Sequence, residues 1–286
     1  MAEILPTILE YGFMRRALVG GLALALSAPA LGVFLMLRRM SLTADVMGHG
    51  MLPGVALGFI LAGLSVPALA LGGLAAGLLV VLGAGALSRA TGGREDAALT
   101  ALYLVALAGG VALLSWRGSP VELTQVLFGS VLGVDQPALL LMAGTASLTW
   151  LFLAFAWRPL VLECFDPGFA QAVGARGSAW HLGFLGMVVL NLVAAFAAMG
   201  TLMAVGVMML PAIAARHWAG SVGGMVYAAS GLAVLAVLAG LAFSLHADVP
   251  AGPAIVLAAG ALWAASVLFG PREGLLARWR RRHLAG

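Results

Sequence analysis

The sequence predicts an all-α fold: a polytopic membrane helix bundle of eight or nine transmembrane helices, with the carboxyl terminus in the cytoplasm. Three observations carry that expectation. The 286-residue chain is 63% hydrophobic and 9% charged, with a mean hydropathy of +1.08, more apolar surface than a water-soluble domain of this size can hide. Its apolar residues fall into runs, several of which reach the ~20 residues that cross a bilayer. All 15 basic residues are arginines placed at the ends of those runs, where they set topology.

Composition also excludes. The single cysteine, Cys164, rules out an internal disulfide and any cysteine cluster. With no lysine in the chain, a Walker A loop, whose lysine reaches the nucleotide phosphates, is absent. The pI near 10.2 would suit nucleic acid, but arginines at span ends are explained by membrane topology, so no nucleic-acid partner is expected. The 39 glycines suit close helix–helix contact. No polar stretch is long enough for a separate soluble domain, and Met1-Ala2-Glu3 lacks the basic start of a cleavable signal peptide.

Residues 1–16, with Glu10, Arg15 and Arg16, read as an interfacial amino-terminal segment, 17–270 as the transmembrane domain and 271–286 as a basic cytoplasmic tail. Apolar runs lie at about 17–37, 47–65, 67–88, 97–115, 138–157, 181–199, 201–215, 222–245 and 251–270. The second and seventh are short, which leaves the count at eight or nine. If the first run passes inward, only Arg15, Arg16 and Arg117 face outward and all other arginines face the cytoplasm. The positive-inside rule selects that orientation.

The stretch Arg38–Gly54 joins the first two runs and carries Asp45 and His49, which share one helix face a turn apart. A carboxylate oxygen and an imidazole nitrogen together suit Zn²⁺ or Mn²⁺. An acid at the centre of a span costs roughly 2.5–3.5 kcal/mol to insert, so such a residue points to function. The structural alternative has Ser41 or Thr43 capping a helix, Asp45 complementing its dipole and His49 packing against a neighbour. These residues alone leave the two readings level. Gly48, Gly50 and Pro53 make a broken or inset helix credible here.

Residues 118–135 read as an outward amphipathic helix with small-residue contacts at Gly129 and Gly133. Residues 158–179 form the longest inner loop, in which Asp166-Pro167 starts a short helix that stops at Gly174 and turns Phe169 and Val173 to one side. So short a helix is unstable alone in water, and packs either on the membrane domain or on a partner. In 201–215, Pro211 is expected to bend or end the helix, and Met203, Met208 and Met209 read as packing residues. Between the last two runs, His246 and Asp248 form a second histidine–acid pair, the alternative being Asp248 as a helix cap. With straight helices the two pairs lie on the order of 15–20 Å apart and act as successive stations. A broken second span would bring them closer. His181, His217 and His283 read as residues of the inner interface.

In this order, Tyr11-Gly-Phe-Met-Arg-Arg-Ala-Leu, Arg38-Arg-Met-Ser-Leu-Thr-Ala-Asp-Val-Met-Gly-His, Leu127-Phe-Gly-Ser, Asp166-Pro-Gly-Phe-Ala, Leu210-Pro-Ala-Ile-Ala-Ala-Arg and Asp248-Val-Pro-Ala-Gly-Pro resemble the transmembrane permease subunit of ABC importers for zinc, manganese or iron. The likeness runs from about residue 10 to 270. It implies a multi-pass inner-membrane protein that pairs with a second permease copy, cytoplasmic ATP-binding subunits and an extracytoplasmic metal-binding protein, surrounded by lipid. The resemblance further implies no catalytic site and no permanently bound cofactor, with Zn or Mn as the transported ion. On the family's pattern, Asp45 and His49 match metal-path ligands, Asp248 matches the acid of the last turn, and His246 is a looser match. Asp166, Pro167, Gly168, Phe169, Ala170, Gln171, Val173 and Gly174 match the helix that docks on the ATPase. Where the family often has Leu-Phe-Gly-Asp, this chain has Ser130.

The competing class is a proton-coupled secondary transporter that works without an ATPase. An intramembrane hydrolase is disfavoured, because no HExxH helix is present.

Overall fold

The computed structural model describes residues 12–63, 65–116, 134–166, 168–169, 177–247, 249–272 and 274–277. Among these the long elements are all helical: α1 (Gly12–Leu37), α2 (Thr43–Gly50), α3 (Leu52–Ala62), α4 (Val66–Thr91), α5 (Glu95–Trp116), α6 (Gln136–Phe165), α7 (Gly177–Met199), α8 (Thr201–Ala215), α9 (Val222–Ala247) and α10 (Ala251–Phe269). With α2 and α3 taken as one span, eight helical stretches are long and apolar enough to cross a membrane. α8, at 15 residues, is only about 22 Å long at 1.5 Å per residue and falls short.

α1 is the central strut, packing on α6, α7, α8 and α9. α4 and α5 lie outside it, with α3 against both. Large apolar side chains on the perimeter, such as Leu61, Leu71, Val105, Phe155 and Tyr227, are exposed, as lipid-facing positions are. The interior is closed by glycine. A Cβ on Gly54 would run into the carbonyl of Gly72, and one on Gly72 into that of Gly54, so α3 and α4 cross backbone to backbone.

Helix ends follow local chemistry. α4 stops at Gly92, with φ 65 in the left-handed region that glycine adopts without cost. α6 starts at Asp135, whose side chain accepts from the Ala138 N–H at 2.9 Å, with Pro in the first turn. α1 ends differently. Arg39 takes φ 61, and the Met40 N–H reaches back to the Leu35 carbonyl at 2.9 Å, a left-handed cap built on a non-glycine residue. That tight turn returns the chain directly into α2.

Two sequence expectations need correction. The 158–179 segment is not loop throughout: α6 runs on to Phe165 and α7 begins at Gly177. Pro159 sits inside α6, where burial of Leu160 and the edge contact of Trp157 with Phe34 at 5.6 Å hold the last turns in place. Pro211 likewise lies inside α8 without ending it. The lost backbone bond is tolerated because the helix is packed among neighbours on several sides. Met203, Met208 and Met209 are buried in that packing, as core residues.

Candidate functional site

The second span is interrupted where its glycines and proline suggested. α2 ends at Gly50 and α3 begins at Leu52, with Pro53 in its first turn, while Met51 between them keeps helical dihedrals. The junction lies deep in the bundle. A Cβ on Gly50 would meet Val80 of α4 and Tyr103 of α5, and Met51 lies against Gly73 of α4. Each of these is well inside its own helix. Discontinuous helices of this kind supply ion sites in transporters, the carboxyl end of a half-helix favouring a cation.

Asp45 stands in the first turn of α2 and His49 in its last. Nothing caps α2 through a side chain, and its N-cap residue is Leu42, so neither Ser41 nor Thr43 plays the capping part. The His49 Nε2 and Asp45 Oδ1 are 3.6 Å apart, with side chains 28% and 58% exposed respectively. That separation is too long for a hydrogen bond. It suits two ligands of one cation: with metal–ligand bonds of about 2.0–2.2 Å, a 3.6 Å gap subtends about 110–130° at the metal. His49 Nδ1 is buried without a hydrogen-bond partner among the described residues.

At the far end of α9, His246 Nδ1 lies 2.8 Å from the Ala242 carbonyl. Donation there leaves Nε2 with its lone pair, and the ring is exposed. The turn that follows is held by Ser244 Oγ on the Val249 carbonyl at 2.7 Å, and α10 starts at Pro250 without a side-chain cap. Asp248 lies outside the described residues. Among those described, no three His, Cys, Asp or Glu side chains gather as a metal-holding group. The structure therefore brings Asp45 and His49 together and does not add His246 to them.

Of the loop residues, Asp166 closes α6 and its Oδ1 accepts from the Phe169 N–H at 2.8 Å, so the acid starts a new helical turn as Asp-Pro foretold. Gly168 and Phe169 are helical and exposed. Pro167, Ala170, Gln171, Val173 and Gly174 lie outside the described residues, as do Ser130 and most of 118–135.

Two polar clusters went unread in the sequence. Deep in the bundle, Asn191 of α7 donates to Thr149 Oγ1 of α6 at 2.7 Å and to the Met187 carbonyl at 2.9 Å. It also accepts from Ser27 Oγ of α1 at 3.1 Å, so one amide ties three helices. A lone Asn within an apolar run was the available signal. At the other cluster His181, read as an interface residue, is instead partly buried and bonded to Arg38 and Glu95. A lateral groove of about 500 Å³ between α6 and α9, lined by Trp150, Trp157, Arg158 and Tyr227 among others, holds no acid or histidine and offers an ion no ligands.

A multi-span helical bundle with an interrupted helix and an ionisable pair at the break is the architecture of a membrane transport subunit. The profile of the ABC 3 transport family matches residues 10–270. The chain belongs to that family, and is a multi-pass protein of the inner membrane. It is 31% identical over 277 residues to the manganese transport system membrane protein MntC of Halalkalibacterium halodurans, covering 96% of this chain and 93% of that one. It is 28% identical over 261 residues to a probable iron transport system membrane protein of Haemophilus influenzae, covering 91% and 95%. Among solved structures, PsaBC from Streptococcus pneumoniae in complex with Fab superposes with a TM-score of 0.84 at 29% identity, covering 95% of this chain and 97% of that one.

Proposed function

We propose that this chain is the permease subunit of an ATP-driven importer of divalent metal ions, with manganese or zinc as the favoured cargo and iron within reach of the same ligands. The observation that carries the reading is the Asp45–His49 pair, spaced 3.6 Å apart at a helix break inside the bundle. A dehydrated dication cannot sit in hydrocarbon, and Asp45 supplies negative charge while His49 supplies a neutral nitrogen. Two donors leave coordination positions open for water or for a second permease copy facing the first across the path. His246 and Asp248, near the opposite end of the span order, are a separate station on that path. His/Asp ligation suits both zinc and manganese, and the family relatives named for manganese and iron weight the choice towards manganese.

The energy comes from elsewhere. A lysine-free chain has no P-loop, so ATP is hydrolysed on partner subunits in the cytoplasm. The helix begun at Asp166 docks there and transmits alternating access. An extracytoplasmic binding protein delivers the ion at the other face. Asp45→Ala and His49→Ala are expected to lower cellular manganese accumulation at least about tenfold, one lost ligand being worth 1.4 kcal/mol or more, with permease–ATPase co-purification unchanged. Wild-type accumulation in both variants would remove the pair from the path.

A further inference from the structure

One charged network finds no role in the function proposed above. Arg38, at the end of α1, turns inward with its side chain only 6% exposed. One guanidinium nitrogen donates to Glu163 Oε2 at 2.8 Å and another lies 3.2 Å from His181 Nδ1. With Nδ1 accepting from Arg38, His181 Nε2 carries the proton and faces Glu95 Oε1 at 3.4 Å. The guanidinium also lies 4.7 Å over the Phe184 ring, a cation–π contact. Although its buried Nε finds no partner among the described residues, a charge held at both terminal nitrogens keeps a fixed geometry. Arg39 beside it is exposed.

The position of each member is the argument. Glu163 is three residues before Asp166 and His181 is four residues after Gly177, so both sides of the 166–176 segment are tied to the same arginine. Arg38 is separated from the first residue of α2 only by the tight Arg39–Leu42 turn. Glu95 opens α5, on which α2 packs, and Tyr103 of α5 lies beside Gly50. A push on the segment after α6 therefore reaches α2 by two routes, through Arg38 along the chain and through Glu95 across the α5 contact.

The geometry points to the Arg38–Glu163–His181–Glu95 network as the linkage that converts movement of the ATPase-docking segment into movement of the Asp45–His49 pair. These four are positioning residues that never touch the ion. The inference rests on the function proposed above and adds the parts that join its two ends. Hydrogen-bonded chains with discrete arrangements are physical carriers of such coupling.

The test is the intact transporter, permease with its ATPase, in liposomes supplied with binding protein and Mn²⁺, scored as ions transported per ATP hydrolysed. Arg38→Gln and Glu163→Gln are expected to keep hydrolysing ATP while that ratio falls about tenfold, the scale of one charge-assisted contact. Arg38→Lys keeps the charge needed for folding but cannot fork between Glu163 and His181, and is expected to lower the ratio in the same direction by about threefold. Recovery of the ratio in the exchanged pair Arg38→Glu/Glu163→Arg would establish that the contact itself matters. A wild-type ratio in Arg38→Lys, and in whichever Gln variants assemble, overturns the inference, even where less complex forms, because a purely structural network lowers yield and not stoichiometry. Asp45→Ala and His49→Ala run beside them separate the levels. Normal transport in both would remove the pair from the path and overturn this linkage with it, whereas loss in both beside a normal ratio in the network variants sinks the linkage alone.

Discussion

Asp45 and His49 illustrate what spacing alone can say about a pair of side chains. Four residues on a helix bring them to one face, and the 3.6 Å gap follows from that periodicity without help from the rest of the fold. Arg38 and Arg39 show the opposite case. In sequence they are one basic doublet marking a span end, yet one is buried in an ion network and the other exposed, because the left-handed turn at Arg39 points consecutive side chains apart. Asn191 belongs at this scale as well. Its amide joins Ser27 and Thr149 across three helices, and Asn191→Ala is expected to lower thermal stability in detergent by about 1 kcal/mol, as interhelical polar contacts in membranes typically do. No change in the unfolding midpoint would mean that Ser27 and Thr149 find other partners at no cost.

At the scale of the element, the broken second span decides most. Gly50 and Pro53 flank Met51, and the interruption lies against the interiors of α4 and α5, where a helix end can serve an ion. Just beyond it, α3 lies against α4 through Gly54 and Gly72, each with no room for a side chain. Leucine has the better intrinsic helix propensity by about 1 kcal/mol, so on propensity alone Gly54→Leu should help. The crossing predicts the reverse: a fall in stability of about 1–3 kcal/mol from overpacking. Gly109→Ala is the control, since nothing lies within 4 Å of a Cβ placed there. An unchanged or raised melting point for Gly54→Leu would show that the α3–α4 contact can open. Pro159 and Pro211 teach the complementary lesson. Both sit inside helices, and Pro211, expected to bend or end its helix, does not end it, because packed neighbours outweigh one missing backbone bond.

For the whole molecule, the question is where the work is done. Among the described residues, eight apolar helical stretches and one short helix carry the proposed Asp45–His49 pair, and a chain without lysine lacks the residue a P-loop requires. Purified permease alone in liposomes is therefore expected to show no Mn²⁺ uptake under a proton gradient, and to gain it only with the ATPase and nucleotide. Gradient-driven uptake by the permease alone would favour the secondary-transporter class instead.

Membrane class, span order, the i,i+4 proximity of Asp45 and His49, the helix start at Asp166 and the break near Pro53 were all legible in the chain by itself. Each depends on hydropathy, periodicity or capping, which are set by residues within a few positions of one another. Tertiary structure alone decided that Arg38 meets Glu163 and His181, that Gly54 meets Gly72, that α6 continues past Pro159 and that His246 stands apart from Asp45 and His49. Those outcomes depend on which helix faces lie together in space. No local pattern encodes that, because the contacts join residues far apart in the chain and their energies appear only once the bundle has closed.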